Sequence, residues 1–164
     1  MGRPKKATPN VEKAPGRLPG SLDFLPEHHL AWEVFLEKLA SLSHTFGYAP
    51  VDSPMFEDSR LFSFWMQNGA QLLTVANPKG NPVAARPANI FSLVRVYLEN
   101  HFAEREKVTK WSYHAPVAYL SGGQIRQPVE YGFQIFGPTA PIADAQLVNL
   151  LLKLFTETGL GGLS

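Results

Sequence analysis

The stretch of sequence that most constrains the fold runs over residues 110–137 and reads KWSYHAPVAYLSGGQIRQPVEYGFQIFG. Aromatic and β-branched residues on both sides of a Gly-Gly pair predict two strands, over residues 111–120 and 129–136. Gly122 and Gly123 favour a tight turn between them, because glycine adopts positive φ angles without steric strain. The sequence therefore predicts a hairpin at the centre of an antiparallel sheet.

The second of these strands carries a polar face. Its apolar residues alternate with Glu130, Gly132 and Gln134, which is the pattern of a strand buried on one side. Glu130 and Gln134 are four residues apart and therefore point to the same side of the sheet. Two interpretations remain open. This face lines one side of a small pocket, or it is the solvated side of a half-buried strand, which is the more common arrangement.

The composition is that of a single globular domain with a core of its own. The chain has 164 residues, of which 45% are hydrophobic and 18% charged. A net charge of +1 gives no general attraction to nucleic acid, and the absence of cysteine excludes disulfides and thiolate metal sites. We expect no bound metal. No apolar run approaches membrane-spanning length and no signal peptide is evident, so we expect a cytoplasmic protein without a membrane partner.

Residues 1–19 are predicted to form a disordered basic arm ahead of a core domain over residues 20–164. The arm has no apolar periodicity and is rich in lysine, proline and glycine. Its fragment GRPKK resembles a hook for the minor groove of DNA, but a short basic tail is far more often a solvated end.

The spacing of apolar residues predicts an α+β domain. Helices are expected over residues 27–46, 88–102 and 143–158, a short strand over 49–53, and a second hairpin from 71–77 and 82–86. The last helix is apolar nearly all round. We therefore expect it to be buried on several sides, by the sheet, by a second subunit or by a segment beyond this chain.

Five segments, in the same order along the chain, resemble histidyl-tRNA synthetase. They are LPGSLDFLP (18–26), FGYAPVDSPMFE (46–57), ARPA (85–88), the central hairpin (111–137) and IADAQ (142–146). The second segment is similar to class II motif 1 and the hairpin to motif 2. The resemblance implies a class II aminoacyl-tRNA synthetase core, an antiparallel sheet flanked by helices, which forms a homodimer through motif 1. The residues expected at that dimer interface are Val51, Pro54, Met55 and Phe56.

The chain departs from the family pattern at positions that bind ligands. Ala88 and Ile90 stand where the family has a glutamate and a threonine that help to hold the amino acid and the nucleotide. Tyr119 stands where an arginine neutralises the α-phosphate of ATP, and Ser121 replaces a glutamate. A phenol lacks the fixed charge of a guanidinium. Motif 3 is expected to lie beyond Ser164, so the chain resembles the N-terminal part of the core, truncated before that motif.

Several polar positions are kept. The candidates for a ligand pocket are Arg86, Tyr119, Ser121, Arg126, Glu130 and Gln134. By the resemblance, the last two exchange the order of the family's glutamine and glutamate. One carboxylate and one amide on the same face could hold an ammonium group, although they could not activate a carboxylic acid.

Three functions are compatible with these features. The first is a dimeric, non-catalytic binding or regulatory protein, similar to the regulatory subunit of ATP phosphoribosyltransferase in histidine biosynthesis, with a short catalytic subunit as partner. The second is part of a split histidine–tRNA ligase, which would need ATP, Mg²⁺, histidine and a chain that carries motif 3. The third is a decayed gene product that keeps the fold. The sequence leaves any contact with tRNA open.

Overall fold

The computed structural model describes residues 15–67, 71–77, 80 and 82–159. Most of the predicted basic arm, residues 1–14, lies outside the described residues, so its disorder stays a prediction. The helices and strands are, in chain order, α1 (Pro26–Thr45), β1 (Ala49–Pro50), β2 (Phe56–Asp58), a 3-10 turn (Ser59–Phe62), α2 (Ser63–Met66), β3 (Gln71–Leu72), β4 (Thr74–Val75), β5 (Val83–Ala85), α3 (Asn89–Glu99), α4 (Phe102–Arg105), β6 (Thr109–Pro116), β7 (Tyr119–Ser121), β8 (Gln124–Arg126), β9 (Val129–Phe136) and α5 (Ile142–Glu157).

The three predicted helices are present. The proline and the glycine expected at the two ends of the first helix lie there. Pro26 occupies the first turn of α1, where its missing N–H leaves no bond unmade. Gly47 follows the end of α1 with a φ of 76°, the left-handed conformation that ends many helices. The prediction of one helix over residues 88–102 is wrong in extent. His101 adopts a φ of 55° and separates α3 from α4.

The predicted central hairpin is confirmed, with a break that the sequence did not reveal. Strands β6 and β9 pair antiparallel along eight residues, and β7 and β8 continue the pairing in the same register up to the turn. Between them, residues 117 and 118 belong to neither strand, but Val117 still bonds to its partner in the register and only Ala118 turns its N–H to another segment. The N–H of Val117 donates to the carbonyl of Pro128 at 2.9 Å, and that of Ala118 donates to the carbonyl of Arg86 at 3.0 Å. We call β6 with β9 the hairpin base, and β7 with β8 the hairpin tip.

The sheet is antiparallel apart from one strand. The described strands form three groups of three, in the orders β1-β6-β9, β2-β5-β4 and β3-β7-β8. Strand β1 runs parallel to β6 and has two residues, so the expected strand over residues 49–53 is shorter than predicted. Strands β4 and β5 pair with each other, as predicted for the second hairpin, whereas β3 pairs with β7 of the hairpin tip. The α+β fold class with antiparallel pairing is therefore confirmed.

Both faces of the hairpin base are covered by helices. On one face, Trp32 and Phe35 of α1 contact the ring of Tyr131 at centroid distances of 5.3 and 5.1 Å. On the other face, Tyr97 of α3 stacks on Phe136 at 4.3 Å. The face that carries Glu130 therefore lies against α3, and its residues Glu130, Gly132 and Gln134 are half-buried.

Helix α5 is buried along one stripe. Leu154 packs with Leu39 and Leu42 of α1, and Leu150 is fully buried. Four large apolar side chains of the helix stay exposed, namely Ile142, Val148, Leu151 and Leu152. Within the described residues, α1 and the sheet cover one side of this helix, and its burial by a second subunit or a further segment stays a prediction. No described helix combines the length and hydropathy needed to cross a membrane.

Candidate ligand site on the central hairpin

Arg86 is the most deeply buried charge at the candidate site. Its side chain is 3% exposed and lies in the connection between β5 and α3. Its Nε donates to the carbonyl of Pro116 at 2.9 Å, and its Nη1 donates to the carbonyl and the hydroxyl of Ser53 at 2.7 and 2.8 Å. Burial lowers the pKa of the Arg86 guanidinium, and nearby carboxylates, Glu130 first among them, oppose that effect. Arg86 thus ties the motif 1-like segment to the end of β6.

Glu130 is bonded to the start of helix α3. Its Oε2 accepts hydrogen bonds from the backbone N–H of Asn89 at 2.9 Å and from Asn89 Nδ2 at 3.0 Å. The residue before the helix, Ala88, has no side-chain acceptor. Glu130 therefore provides the cap that a serine or aspartate would normally supply, in a position where the helix dipole favours a negative charge.

Asn89 was not among the residues selected from the sequence, although it is only 1% exposed. Asparagine near the start of a helix predicts a cap made by its own side chain. Here the side chain is a donor, to Glu130 and more weakly to the carbonyl of Ala115 at 3.4 Å. No local signal could have linked Asn89 to a carboxylate that lies 41 residues further along the chain.

Tyr113 of β6 lies against β9, on the face that carries Glu130 and Gln134. It is paired with Gly132, and a Cβ added to that glycine would overlap the phenol oxygen and Cζ of Tyr113. Burial raises the pKa of Tyr113, and the negative charge of Glu130 adds to the effect. The sequence held a signal for this contact, because a glycine inside a strand often marks the close approach of another group.

The remaining pocket candidates lie at the hairpin tip. Tyr119 is half-buried beside Trp65, with ring centroids 5.9 Å apart. Its cross-strand partner Arg126 is exposed, as is Ser121. The structure thus brings Arg86 and Glu130 together at the hairpin base, with Gln134 further along β9, and places Tyr119, Ser121 and Arg126 at the tip. Ala88 and Ile90 are half-buried at the first turn of α3.

Two cavities flank strand β1. One has a volume of about 400 Å³, lies between α1 and β6, and is lined largely by apolar side chains such as Leu36 and Leu39. The other has a volume of about 600 Å³ and lies beside Phe102. Pro50 and Val51 line both. Of the other expected dimer residues, Pro54 and Phe56 are exposed and Met55 is half-buried.

Within the residues that the structure describes, no three histidine, aspartate or glutamate side chains gather closely enough to hold a metal ion.

The comparison with protein families decides the relationship. The family model described as histidyl-tRNA synthetase matches residues 20–164. This chain belongs to the histidyl-tRNA synthetase family. The histidine–tRNA ligase of Caldicellulosiruptor bescii is 27% identical to it over 154 residues, and that of Bacillus licheniformis is 29% identical over 154 residues. Each alignment covers 88% of this chain and 36% of the relative, so the chain spans about a third of the length of these relatives.

Solved structures support the class II fold. An ATP phosphoribosyltransferase regulatory subunit/histidyl-tRNA synthetase from Bacillus halodurans superposes with a TM-score of 0.80 and 17% identity, covering 97% of this chain and 40% of that one. The apo histidyl-tRNA synthetase of S. aureus gives a TM-score of 0.77 and 22% identity, covering 89% of this chain and 35% of that one. As a member of the histidyl-tRNA synthetase family, the chain thus has the expected fold.

Proposed function

We propose that this chain is a non-catalytic member of the histidyl-tRNA synthetase family that acts as a dimeric binding or regulatory protein in the cytoplasm. The observation that carries the proposal is Tyr119. In the family pattern this position of motif 2 supplies a guanidinium to the α-phosphate of ATP. The loss of one electrostatic group of this kind typically lowers the rate of a reaction about 10²–10³-fold.

The surroundings of Tyr119 support the proposal. Its ring packs beside Trp65, and its neighbour Ser121 is exposed and uncharged. Arg126 lies across the ladder from Tyr119, so the hairpin tip still carries one positive charge. A single exposed guanidinium in water stabilises developing charge far less than a set of preorganised groups in a site that excludes water.

The proposed dimer forms through the motif 1-like segment. Val51 lines two cavities, and Phe56 is 54% exposed. Apolar side chains that are left incompletely covered are typical of an interface. The proposed partner in a regulatory role is a short ATP phosphoribosyltransferase. That choice is supported by the similarity to the Bacillus halodurans structure, whose name includes the regulatory subunit of that enzyme.

Two measurements test this proposal. We expect no histidine-dependent ATP–pyrophosphate exchange from the purified chain under conditions in which the Bacillus licheniformis ligase is active. Light scattering should give twice the chain mass of 18.2 kDa, and a short ATP phosphoribosyltransferase from the same genome should co-elute with it. Measurable exchange by the chain alone, or a monomeric mass, would contradict the proposal.

A second candidate is part of a split histidine–tRNA ligase. The exposed apolar side chains of α5, such as Val148 at 57% exposure, favour a further covering segment, and the chain spans only 36% of the length of its ligase relatives. This candidate would require histidine, ATP and Mg²⁺. It predicts that exchange activity appears when the chain is mixed with a second chain that carries motif 3. Mixtures that stay inactive with every such chain of the genome would exclude it.

A further inference from the structure

We propose that the cavity between α1 and β6 binds a small uncharged molecule that is largely apolar and carries one hydrogen-bond acceptor for the hydroxyl of Tyr48. The cavity has a volume of about 400 Å³, which is within the range of sites that hold small ligands. Its lining includes Leu36 and Leu39 of α1 and Ser112 of β6. We call it the α1 cavity. This inference goes beyond the proposed function and does not depend on it.

The α1 cavity lies on the opposite face of the hairpin base from Glu130. The ring of Tyr48, which lines the cavity, contacts Phe133 at a centroid distance of 5.1 Å, and Phe133 packs against the buried leucines of α1 and α5. Glu130 is three residues before Phe133 on the same strand and therefore faces the other way, towards Asn89 of α3. A molecule in the α1 cavity would thus not enter the polar face of the hairpin base.

Tyr48 supplies the polar group of this site. The residue is 5% exposed, and its hydroxyl has no hydrogen-bond partner in the part of the chain that the structure describes. Burial raises the pKa of the Tyr48 hydroxyl above its ordinary value, so the hydroxyl is a donor at neutral pH. A buried donor without an acceptor costs free energy, and an acceptor atom on a bound molecule would remove that cost.

The neighbours of Tyr48 hold its ring in place. Phe133 contacts the ring in an edge-on arrangement, and the Nζ of Lys110 lies 5.6 Å from the ring centre. That Nζ is itself fixed, because it donates to the carbonyl of Phe46 at 3.3 Å and to Gln146 Oε1 at 2.9 Å. A ring held in this way gives its hydroxyl a defined position, which lowers the cost of forming a hydrogen bond with a ligand.

The other polar residues of the lining favour an uncharged ligand. The buried Ser43 already uses its hydroxyl proton, which it donates to the carbonyl of Leu39 at 2.6 Å. The histidine and aspartate side chains of the lining, His44, Asp52 and His114, belong to exposed residues. A charge placed deep in the cavity would therefore lack a buried partner of opposite sign, which is costly.

Titration with two matched probes tests the proposal. Acetophenone has a carbonyl acceptor on a small apolar body, and in α-methylstyrene a methylene group replaces that carbonyl oxygen. In NMR titrations of the full chain, acetophenone should bind and show NOEs to the methyl groups of Leu36 and Leu39. Tyr48→Phe should weaken acetophenone binding about fivefold, the effect of one neutral hydrogen bond, and should leave the binding of α-methylstyrene unchanged.

A pair of substitutions in α1 locates the site. Ala40 lines the cavity and is exposed, so Ala40→Leu should be tolerated by the fold while it fills the space. This variant should weaken the binding of both probes at least about tenfold. Ala31→Leu is the matched control, because it makes the same change at an exposed position of the helix outside the lining, and it should leave the binding of both probes unaltered.

Several results would overturn the inference. They are the absence of acetophenone binding to the wild-type chain, NOEs to residues outside the lining only, and equal acetophenone affinity of wild type and Tyr48→Phe. The NOEs need no variant and decide the case in which a variant does not fold. A second copy of the chain inside the cavity would also overturn the inference. In a sample of mixed isotope labelling, that copy would give NOEs between chains at Leu36, without acetophenone binding.

Discussion

The hairpin base and the hairpin tip share one continuous register, yet their polar residues differ in burial and in hydrogen bonding. At the base, helices cover both faces, and the polar side chains of Arg86 and Glu130 are bonded to other parts of the protein. At the tip, Ser121 and Arg126 are exposed. Arg86 is thus an arginine of the family pattern that is kept where its bonds support the fold, whereas the motif 2 arginine is replaced at the tip by Tyr119, which packs beside Trp65.

This difference changes the meaning of the retained residues. Arg86 keeps the family's arginine and Glu130 keeps a carboxylate on the same strand, although in exchanged order, and on sequence alone these residues suggest that a ligand pocket persists. Their contacts with Ser53, Pro116 and Asn89 explain the retention through folding stability instead. A polar residue kept at a former binding site is therefore weak support for binding until its partners are known.

The largest effect is expected at Arg86. Arg86→Leu should lower the free energy of unfolding by about 3 kcal/mol, because the partly buried hydrogen bonds from the guanidinium to the carbonyl groups of Ser53 and Pro116 are lost. The matched change at the tip, Arg126→Leu, should alter it by less than about 0.5 kcal/mol, as exposed substitutions usually do. Urea unfolding measures both. Equal losses of stability in the two variants would contradict the difference between base and tip. A broad, uncooperative unfolding transition of the wild-type chain would favour a decayed gene product.

The next effect is expected at Gly132. Gly132→Ala should destabilise the protein by about 2 kcal/mol, because the new methyl group displaces the ring of Tyr113. In a double-mutant cycle, the same change made on a Tyr113→Ala background should have a clearly smaller effect, since the overlap is gone. Additive losses would show that the two residues do not contact each other as described.

A smaller effect is expected at Glu130. Glu130→Ala should lower stability by about 1–2 kcal/mol, because helix α3 loses its cap, while Glu130→Gln keeps an acceptor oxygen and should lower it less. Hydrogen exchange in the first turn of α3 should accelerate in the same order. Ser121→Ala at the tip is the control and should leave both measurements unchanged. Unaltered exchange in Glu130→Ala would disprove the capping role.

The last effect is absent at neutral pH and develops only at alkaline pH. Burial raises the pKa of Tyr131 to about 12, and its hydroxyl is buried with no hydrogen-bond partner among the described residues. The folded chain therefore keeps the hydroxyl proton of Tyr131 at pH values above about 10, the ordinary pKa of tyrosine. The unfolded chain loses that proton near pH 10. Stability should fall between about pH 10 and pH 12.

Tyr131→Phe tests that assignment. The variant should show a shallower loss of stability with rising pH in urea titrations. It should not abolish the loss, because burial also raises the pKa values of Tyr48 and Tyr113. An identical pH dependence in wild type and variant would contradict the contribution of Tyr131.

The elements of this fold that depend on local pattern were predictable, and those that depend on distant contacts were not. Helical periodicity located α1 and α5, and the glycine pair located the turn of the hairpin. The break at Ala118 could not be read from its neighbours, because the N–H of this residue donates to the carbonyl of Arg86 on a distant segment. The short parallel pairing of β1 with β6 likewise joins segments about sixty residues apart.

The candidate site shows the same limit. Alternation placed Glu130 and Gln134 on one face correctly, since that is a property of any strand. What occupies that face was hidden, because Asn89 and Tyr113 come from different elements and reach it only in the folded chain. The sequence could predict where polar groups point, but not which of them are already bonded.

The short strand β1 also affects how copies of this protein can associate. It pairs with β6 and forms one edge of its three-stranded group. Pro50 lacks an N–H, so the edge cannot present an unbroken row of donors to an incoming strand. This edge is therefore a poor template for fibrous growth by strand addition. In the proposed dimer, contact at this edge would therefore rely on side chains such as Val51 and not on a ladder of backbone hydrogen bonds.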